Sequence, residues 1–197
     1  MEISAKIVKE LRDRTGAGMM DCKKALGETG GDVEAAIDLL RTKGAAKAAK
    51  RADKSANEGV VASYIHHGGR IGALVEVNCE TDFVANTDDF KGLVRDLAMH
   101  VAAAEPIAVS VDEIPGEVAN RERKIYSDQV RDEGKPENIW DKIVDGKMNK
   151  WYKDRVLLEQ KFVKNPDQSI AELITEVSAK TGEKIEVARF SRFQIGA

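Results

Sequence analysis

The sequence predicts an α+β protein: an N-terminal three-helix domain, a linker helix, then a core with a small antiparallel sheet packed by helices. Three observations predict it. Apolar residues recur at helical spacing through residues 4–43, β-rich runs cluster near 60–77 and 184–190, and the chain between them returns to helical periodicity. At ~150 residues per domain, a chain of 197 residues holds one core with room for a small extra module. With 42% hydrophobic and 33% charged residues it reads as globular rather than disordered or fibrous.

Each element has a local reason. Ser4 can cap the first helix, whose Ile7, Val8 and Leu11 form a stripe, and Thr15-Gly16-Ala17-Gly18 stops it. Asp21 is placed to cap the second, with Cys22, Ala25 and Leu26 inward and Lys23 and Lys24 outward. Gly30 and Gly31 end it, and Asp32 caps a third helix carrying Val33, Ile37 and Leu40. Three helices in residues 1–43 stand near the lower limit for independent folding, as a docking module does. Gly44 opens an Ala-rich basic linker helix over 44–58 with almost no apolar stripe.

The period then changes. In the core, 59–197, the runs Val60–Ile65 and Ile71–Val77 flank His67-Gly68-Gly69-Arg70 and read as a hairpin. Asp88-Asp89-Phe90 opens a long helix with Leu93, Val94, Leu97, Ala98 and Val101 on one stripe. Helices follow at about 115–133, 136–145 and 147–158, punctuated by Gly134, Pro136 and Gly146. Ser169-Ile170-Ala171-Glu172 starts another, which Gly182 closes. Lys184–Phe190 alternates as a last strand; Ile185, Val187, Phe193 and Ile195 fall on one face, Ala188 and Phe190 on the other. A strand apolar on both faces needs more cover than a short chain provides, which predicts a homodimer built through the strand-bearing core.

Several function classes are excluded or disfavoured. The balance of 31 basic against 34 acidic side chains, and aromatics at 5%, oppose direct nucleic-acid binding. No apolar run approaches the ~20 residues of a membrane span, and Met1-Glu2-Ile3-Ser4 lacks the apolar segment of a signal peptide, so a cytoplasmic location is expected. Two cysteines cannot make a disulfide framework or a four-cysteine metal site. Gly16-Ala17-Gly18-Met19-Met20-Asp21 imitates a dinucleotide loop but follows a helix and ends in Asp. There is no phosphate-binding G-x-x-x-x-G-K-[ST]. His66 and His67 point to opposite faces of a hairpin, His100 reads as a core histidine, and Cys22 and Cys79 as small buried hydrophobes. The expectation is no catalytic residue, no metal site and no cofactor.

Charge is uneven. Residues 41–54 carry Arg41, Lys43, Lys47, Lys50, Arg51 and Lys54 against Asp53, while 76–117 carry ten acidic residues against Lys91 and Arg95. That fits either a protein partner met on more than one surface or two solvated faces.

The segment Asn78-Cys79-Glu80-Thr81-Asp82-Phe83-Val84-Ala85-Asn86 sets a large aromatic among polar residues where a strand gives way to a helix. Two readings are open: Thr81 or Asp82 as a cap with Phe83 as a hydrophobic staple, or a carboxylate–aromatic wedge aimed at a partner. This stretch, with Thr15-Gly16-Ala17-Gly18-Met19-Met20-Asp21-Cys22-Lys23-Lys24-Ala25-Leu26, closely resembles the two signature stretches of the bacterial elongation factor Ts family. The likeness continues through Gly31-Asp32-Val33-Glu34, Lys43-Gly44-Ala45-Ala46-Lys47-Ala48-Ala49-Lys50 and Val156-Leu157-Leu158-Glu159-Gln160.

The resemblance implies a guanine-nucleotide exchange factor for elongation factor Tu, and a ubiquitin-associated-type fold for residues 1–43. It implies that Thr81, Asp82, Phe83 and Val84 disturb the partner's Mg²⁺ and phosphate site, and that Met19 and Met20 dock beside the nucleotide. Longer family members add a second core subdomain and a protruding coiled coil. This chain has no sustained heptads and no second Thr-Asp-Phe-Val. It therefore resembles the short form, in which two chains together supply the binding surface.

Overall fold

The computed structural model describes residues 3–196; Met1 and Glu2, on which the reading of the chain's start rests in part, lie outside them. The helices are α1 (Ala5–Thr15), α2 (Met19–Glu28), α3 (Val33–Ala49), α4 (Asp82–Ala85), α5 (Asp88–Ala104), α6 (Gly116–Asp132), α7 (Trp140–Arg155) and α8 (Ile170–Thr181). The strands are β1 (Glu58–Ile65), β2 (Ile71–Cys79), β3 (Lys161–Phe162), β4 (Asn165–Ser169) and β5 (Ile185–Gln194). The fold is α+β, as the sequence predicts. Two compact units are drawn from separate stretches: 1–60, 77–93 and 172–186 in the first, 61–76, 94–171 and 187–197 in the second.

In the first unit, α1 to α3 close on Val8, Leu11, Cys22, Ala25, Leu26 and Ala36, with Val33, Ile37 and Leu40 packed half-buried against them. Ser4 accepts the Ile7 N–H at 3.4 Å, and Asp32 accepts the Ala35 N–H at 3.0 Å. Gly16 turns the chain after α1 with φ 64°, a conformation that favours glycine. Two expectations need correction. Gly18, not Asp21, is the N-cap of α2; Asp21 lies inside the first turn and pairs with Lys47 at 3.0 Å. The basic Ala-rich stretch is helical, but it continues α3 through Gly44 to Ala49 instead of starting a new helix. A Cβ at Gly44 would stand 3.0 Å from the Ala179 side chain, so this glycine permits a close approach of α8 and is not a helix stop.

The three-stranded sheet has the order β1-β2-β5. His66 N–H donates to Ile71 O at 2.8 Å across the hairpin, and Ile195 N–H donates to Arg70 O at 2.9 Å, so the end of β5 meets the start of β2, antiparallel. Ala73, Val75, Val77 and Cys79 face inward along the central strand. Along β5 the inward face changes parity. Ile185 and Val187 are buried, Ala188 and Arg189 are both exposed, and Phe190 and Arg192 become the half-buried positions. One extra residue flips every side chain beyond it. Phe193 and Ile195 therefore do not share a face with Ile185 and Val187, as strict alternation had it.

In the second unit, α6 and α7 form a helical hairpin over Val130, Val144 and Met148. The expected break at Gly146 is absent: α7 passes through it unbroken to Arg155. The β3–β4 pair (Lys161 opposite Ser169, Phe162 opposite Asn165) was not foreseen, because Asn165-Pro166-Asp167-Gln168 has no apolar alternation. His100 is wholly buried, with Nε2 3.0 Å from Gln160 Oε1 and Nδ1 accepting the Val163 N–H at 3.3 Å. Among the described residues no helix is long and apolar enough to cross a membrane, and no group of His, Cys, Asp or Glu is gathered to hold a metal ion.

Candidate functional site

The central strand β2 ends at Cys79, and the next six residues turn the chain into a helix of one turn, α4. Thr81 is its N-cap in extended conformation, its hydroxyl accepting the Val84 N–H at 3.5 Å. The other end is closed by Asn86, whose backbone N–H and side-chain amide both donate to Asp82 O, at 3.1 and 3.0 Å. Val84 and Ala85 are buried and seat the turn. Phe83 points the opposite way and is 82% exposed. Asp82 is exposed beside it, with no described residue hydrogen-bonded to its carboxylate.

So large an exposed aromatic gains nothing from the fold. A staple would be covered by a neighbour from the next turn; this ring is not. The residue that packs is Phe90, 0% exposed, seven positions further on. Thr81 is the cap that the residue pattern allowed.

The turn is held from outside. Glu183, between α8 and β5, accepts three hydrogen bonds from it. Oε2 takes the Glu80 and Thr81 N–H groups at 3.1 and 3.0 Å, and Oε1 takes the Thr81 hydroxyl at 2.6 Å. Glu80 returns the contact: its carboxylate accepts the Lys184 N–H at 2.6 Å and the Arg51 guanidinium at 2.7 and 2.8 Å. The Lys184 N–H first, and then Arg51, hold the Glu80 carboxyl below the usual carboxylate range. Sequence reasoning missed Arg51, Glu183 and Lys184. The available signal was topological: if the last strand runs antiparallel to β2, its first residues must lie beside the residues that follow Cys79.

Met19 and Met20 open α2 directly after the Gly18 turn and are 47% and 75% exposed. Side chains of this flexibility suit a contact that must adapt. Cys22 and Cys79 are fully buried, and burial pushes both thiols up, with the Glu183 charge adding to the effect at Cys79. A thiol held protonated is a poor nucleophile. His66 and His67 are exposed in the hairpin turn, and the His66 ring lies 3.1 Å from the Tyr64 hydroxyl through Nδ1. A groove of about 320 Å³ between Lys47–Arg51 and Ser178–Gly182 is lined by Lys47, Lys50 and Arg51 and holds no nucleophile–base pair.

What the arrangement offers is therefore a fixed projection. Comparison with known proteins agrees with the motifs. The family model described as Elongation factor TS matches residues 2–197. Elongation factor Ts of Syntrophomonas wolfei is 59% identical over 194 residues, covering 98% of this chain and 91% of that protein. The Elongation factor Ts of Syntrophus aciditrophicus is 57% identical over 196 residues, covering 100% and 98%. That of Fervidobacterium nodosum is 55% identical over 196 residues, covering all of both chains. With the family model spanning nearly the whole chain and relatives of matching length, this chain belongs to the elongation factor Ts family of translation elongation factors.

Proposed function

We propose that this chain is a guanine-nucleotide exchange factor that binds elongation factor Tu and promotes GDP release. It performs no chemical reaction of its own and uses no cofactor. A GTPase holds its nucleotide through backbone amides around the phosphates and a Mg²⁺ that neutralises them. A partner that binds the nucleotide-free state better must, by reciprocity, weaken nucleotide binding by the same factor. A thousandfold weakening needs about 4 kcal/mol of differential contact. The observation that carries this reading is Phe83, 82% exposed on a turn whose neighbours Val84 and Ala85 are buried.

The four residues divide by role. Asp82 and Phe83 make the contact, Phe83 as a wedge and Asp82 disturbing what holds the partner's Mg²⁺ and phosphates. Thr81 and Val84 support them from below. Met19 and Met20 dock the N-terminal three-helix module beside the nucleotide. The working form is a cytoplasmic homodimer with no direct nucleic-acid contact.

The dimer reading rests on the outer face of the sheet. Arg189 pairs with Glu76 at 2.7 Å and marks the outward face of β5, which Phe193 shares. Val61 and Ile65 on β1, Leu74 on β2 and Phe193 on β5 are 64%, 66%, 47% and 68% exposed, with Ile195 at 61% just beyond the strand. Large apolar side chains exposed on all three strands of one sheet face are commonly covered in a working protein, and a second copy presents the same face.

The test is release of labelled GDP from elongation factor Tu. Phe83→Ala should slow release at least about tenfold, as loss of an interface anchor does. Its melting temperature should stay within about 2 °C, because an exposed ring adds little to the fold. Normal release by folded Phe83→Ala overturns the wedge.

A further inference from the structure

A one-turn helix does not hold itself. Fixing a first helical turn costs more than its few hydrogen bonds return, so α4, with four residues, must be held by its surroundings. Phe83 contributes nothing to that, being out in solvent, and the Thr81 cap bond is long at 3.5 Å. Neighbours in sequence close its two ends, the Cys79 thiol on Thr81 O and Asn86 on Asp82 O. Beyond these local bonds the turn has the burial of Val84 and Ala85 and, from far along the chain, the Glu183 carboxylate.

The carboxylate is suited to holding the turn. Its two oxygens receive two successive backbone N–H groups and the Thr81 hydroxyl, fixing the peptide planes before α4 and the rotamer of its cap together. With its proton directed to Glu183 at 2.6 Å, the hydroxyl turns its lone pairs toward the Val84 N–H. The reverse contacts close the ring: the Glu80 carboxylate takes the Lys184 N–H and is gripped by Arg51, just past the end of α3. Other side chains from the same stretch bind neighbouring parts of this unit, Lys180 meeting Asp89 at 2.6 Å and Arg41 meeting Glu172 at 3.8 Å. They contact the N-terminal helix module and the start of α5; Glu183 alone among these reaches the turn that bears Phe83.

We propose that Glu183 is a positioning residue for nucleotide exchange: it makes no contact with elongation factor Tu and acts by holding the Thr81–Val84 turn so that Phe83 enters its partner in one orientation. The proposal rests on the wedge reading of Phe83. An aromatic presented in its bound orientation loses little freedom on association, and a freely rotating turn gives part of that binding free energy back. Docking through Met19 and Met20 needs nothing from Glu183. Its loss therefore lowers the rate reached at saturation more than it raises the concentration needed for half-saturation.

The experiment uses the full chain and labelled GDP on elongation factor Tu, with release followed against chain concentration. Glu183→Ala should lower the saturating release rate at least about tenfold, while the half-saturating concentration rises less than about threefold. In the free protein, amide exchange at Glu80 and Thr81 should speed up at least about tenfold, with Val75 and Val77 in β2 unchanged; general weakening of the sheet would accelerate all four. The double variant Phe83→Ala/Glu183→Ala should be no slower than Phe83→Ala alone, because Glu183 acts through that ring. Thr81→Val, which removes the hydroxyl's bonds to Glu183 and from the Val84 N–H but keeps both backbone arms on Glu183, should move the saturating rate in the same direction by less, and serves if Glu183→Ala is too unstable to assay. A folded Glu183→Ala with normal saturating rate, beside a slow Phe83→Ala, removes Glu183 from the mechanism and leaves the wedge standing. A double variant slower than Phe83→Ala by more than about twofold also overturns the proposal, since Glu183 then acts elsewhere. Normal release by Phe83→Ala removes the wedge reading and this proposal with it.

Discussion

His100 is a buried imidazole whose burial works against its taking up a second proton. Nδ1 accepts the Val163 N–H, so the ring proton sits on Nε2 and faces Gln160 Oε1, while Gln160 Nε2 donates to Ala104 O and Asp154 O. Burial pushes the imidazole below its ordinary 6.5, against a smaller opposing effect of Gln160. Below pH ~6.5 the unfolded chain therefore binds a proton that the folded chain refuses, and stability is lost as the pH is lowered. The slope is at most about 1.4 kcal/mol per pH unit and disappears above pH ~6.5. Denaturant unfolding at about pH 7.5 and about pH 5.5 should show this loss in the parent and a smaller one in His100→Gln. Equal losses in both would remove His100 as the source. The residue scale was also the most legible in sequence. Ser4, Asp32 and Thr81 act on their own backbone within three residues, and a pattern that local can be read. The outward direction of Phe83 could not be, because whether a ring is covered depends on chain distant in sequence. Glu183 was hidden for the same reason, standing 102 residues from the N–H of Thr81.

Elements are legible where a stripe repeats, and less so where a glycine stands inside one. Gly44, Gly59 and Gly146 look alike in sequence and serve three different ends. Gly44 lets α8 approach α3, and Gly146 lies exposed inside a continuous α7 with open space where a Cβ would be. Gly59 has φ 153°, and a Cβ there would stand 2.2 Å from the Val77 carbonyl oxygen. Backbone cannot yield as a flexible side chain can. Gly59→Ala should therefore cost on the order of 3 kcal/mol or more, through overlap and a disfavoured backbone conformation together. Gly146→Ala should instead stabilise by about 0.5–1 kcal/mol, as alanine does inside a helix. Urea midpoints of the two variants test the pair, and a shift in the same direction for both would contradict this account. The parity change in β5 escaped sequence reading because nothing in the types of Ala188 and Arg189 marks the place where the alternation shifts.

For the whole molecule, the proposed dimer makes a sharp expectation. Light scattering at micromolar concentration should give about twice the monomer mass, and Phe193→Asp, on the exposed sheet face, should give a monomer with an unchanged circular dichroism spectrum. A parent that is already monomeric at that concentration defeats the dimer. The order of assembly follows from a feature at the other end of the size range. The carboxylate that holds the Phe83 turn lies about a hundred residues downstream of it, across α5, α6, α7 and α8. Closing so long a span is slow compared with forming a local helix. On the ribosome, at roughly 5–20 residues per second, the recognisable motif emerges several seconds before Glu183 does. Until then the turn has its sequence but lacks the orientation that the proposed exchange activity requires, so nascent chains would be poor competitors for the partner of finished ones.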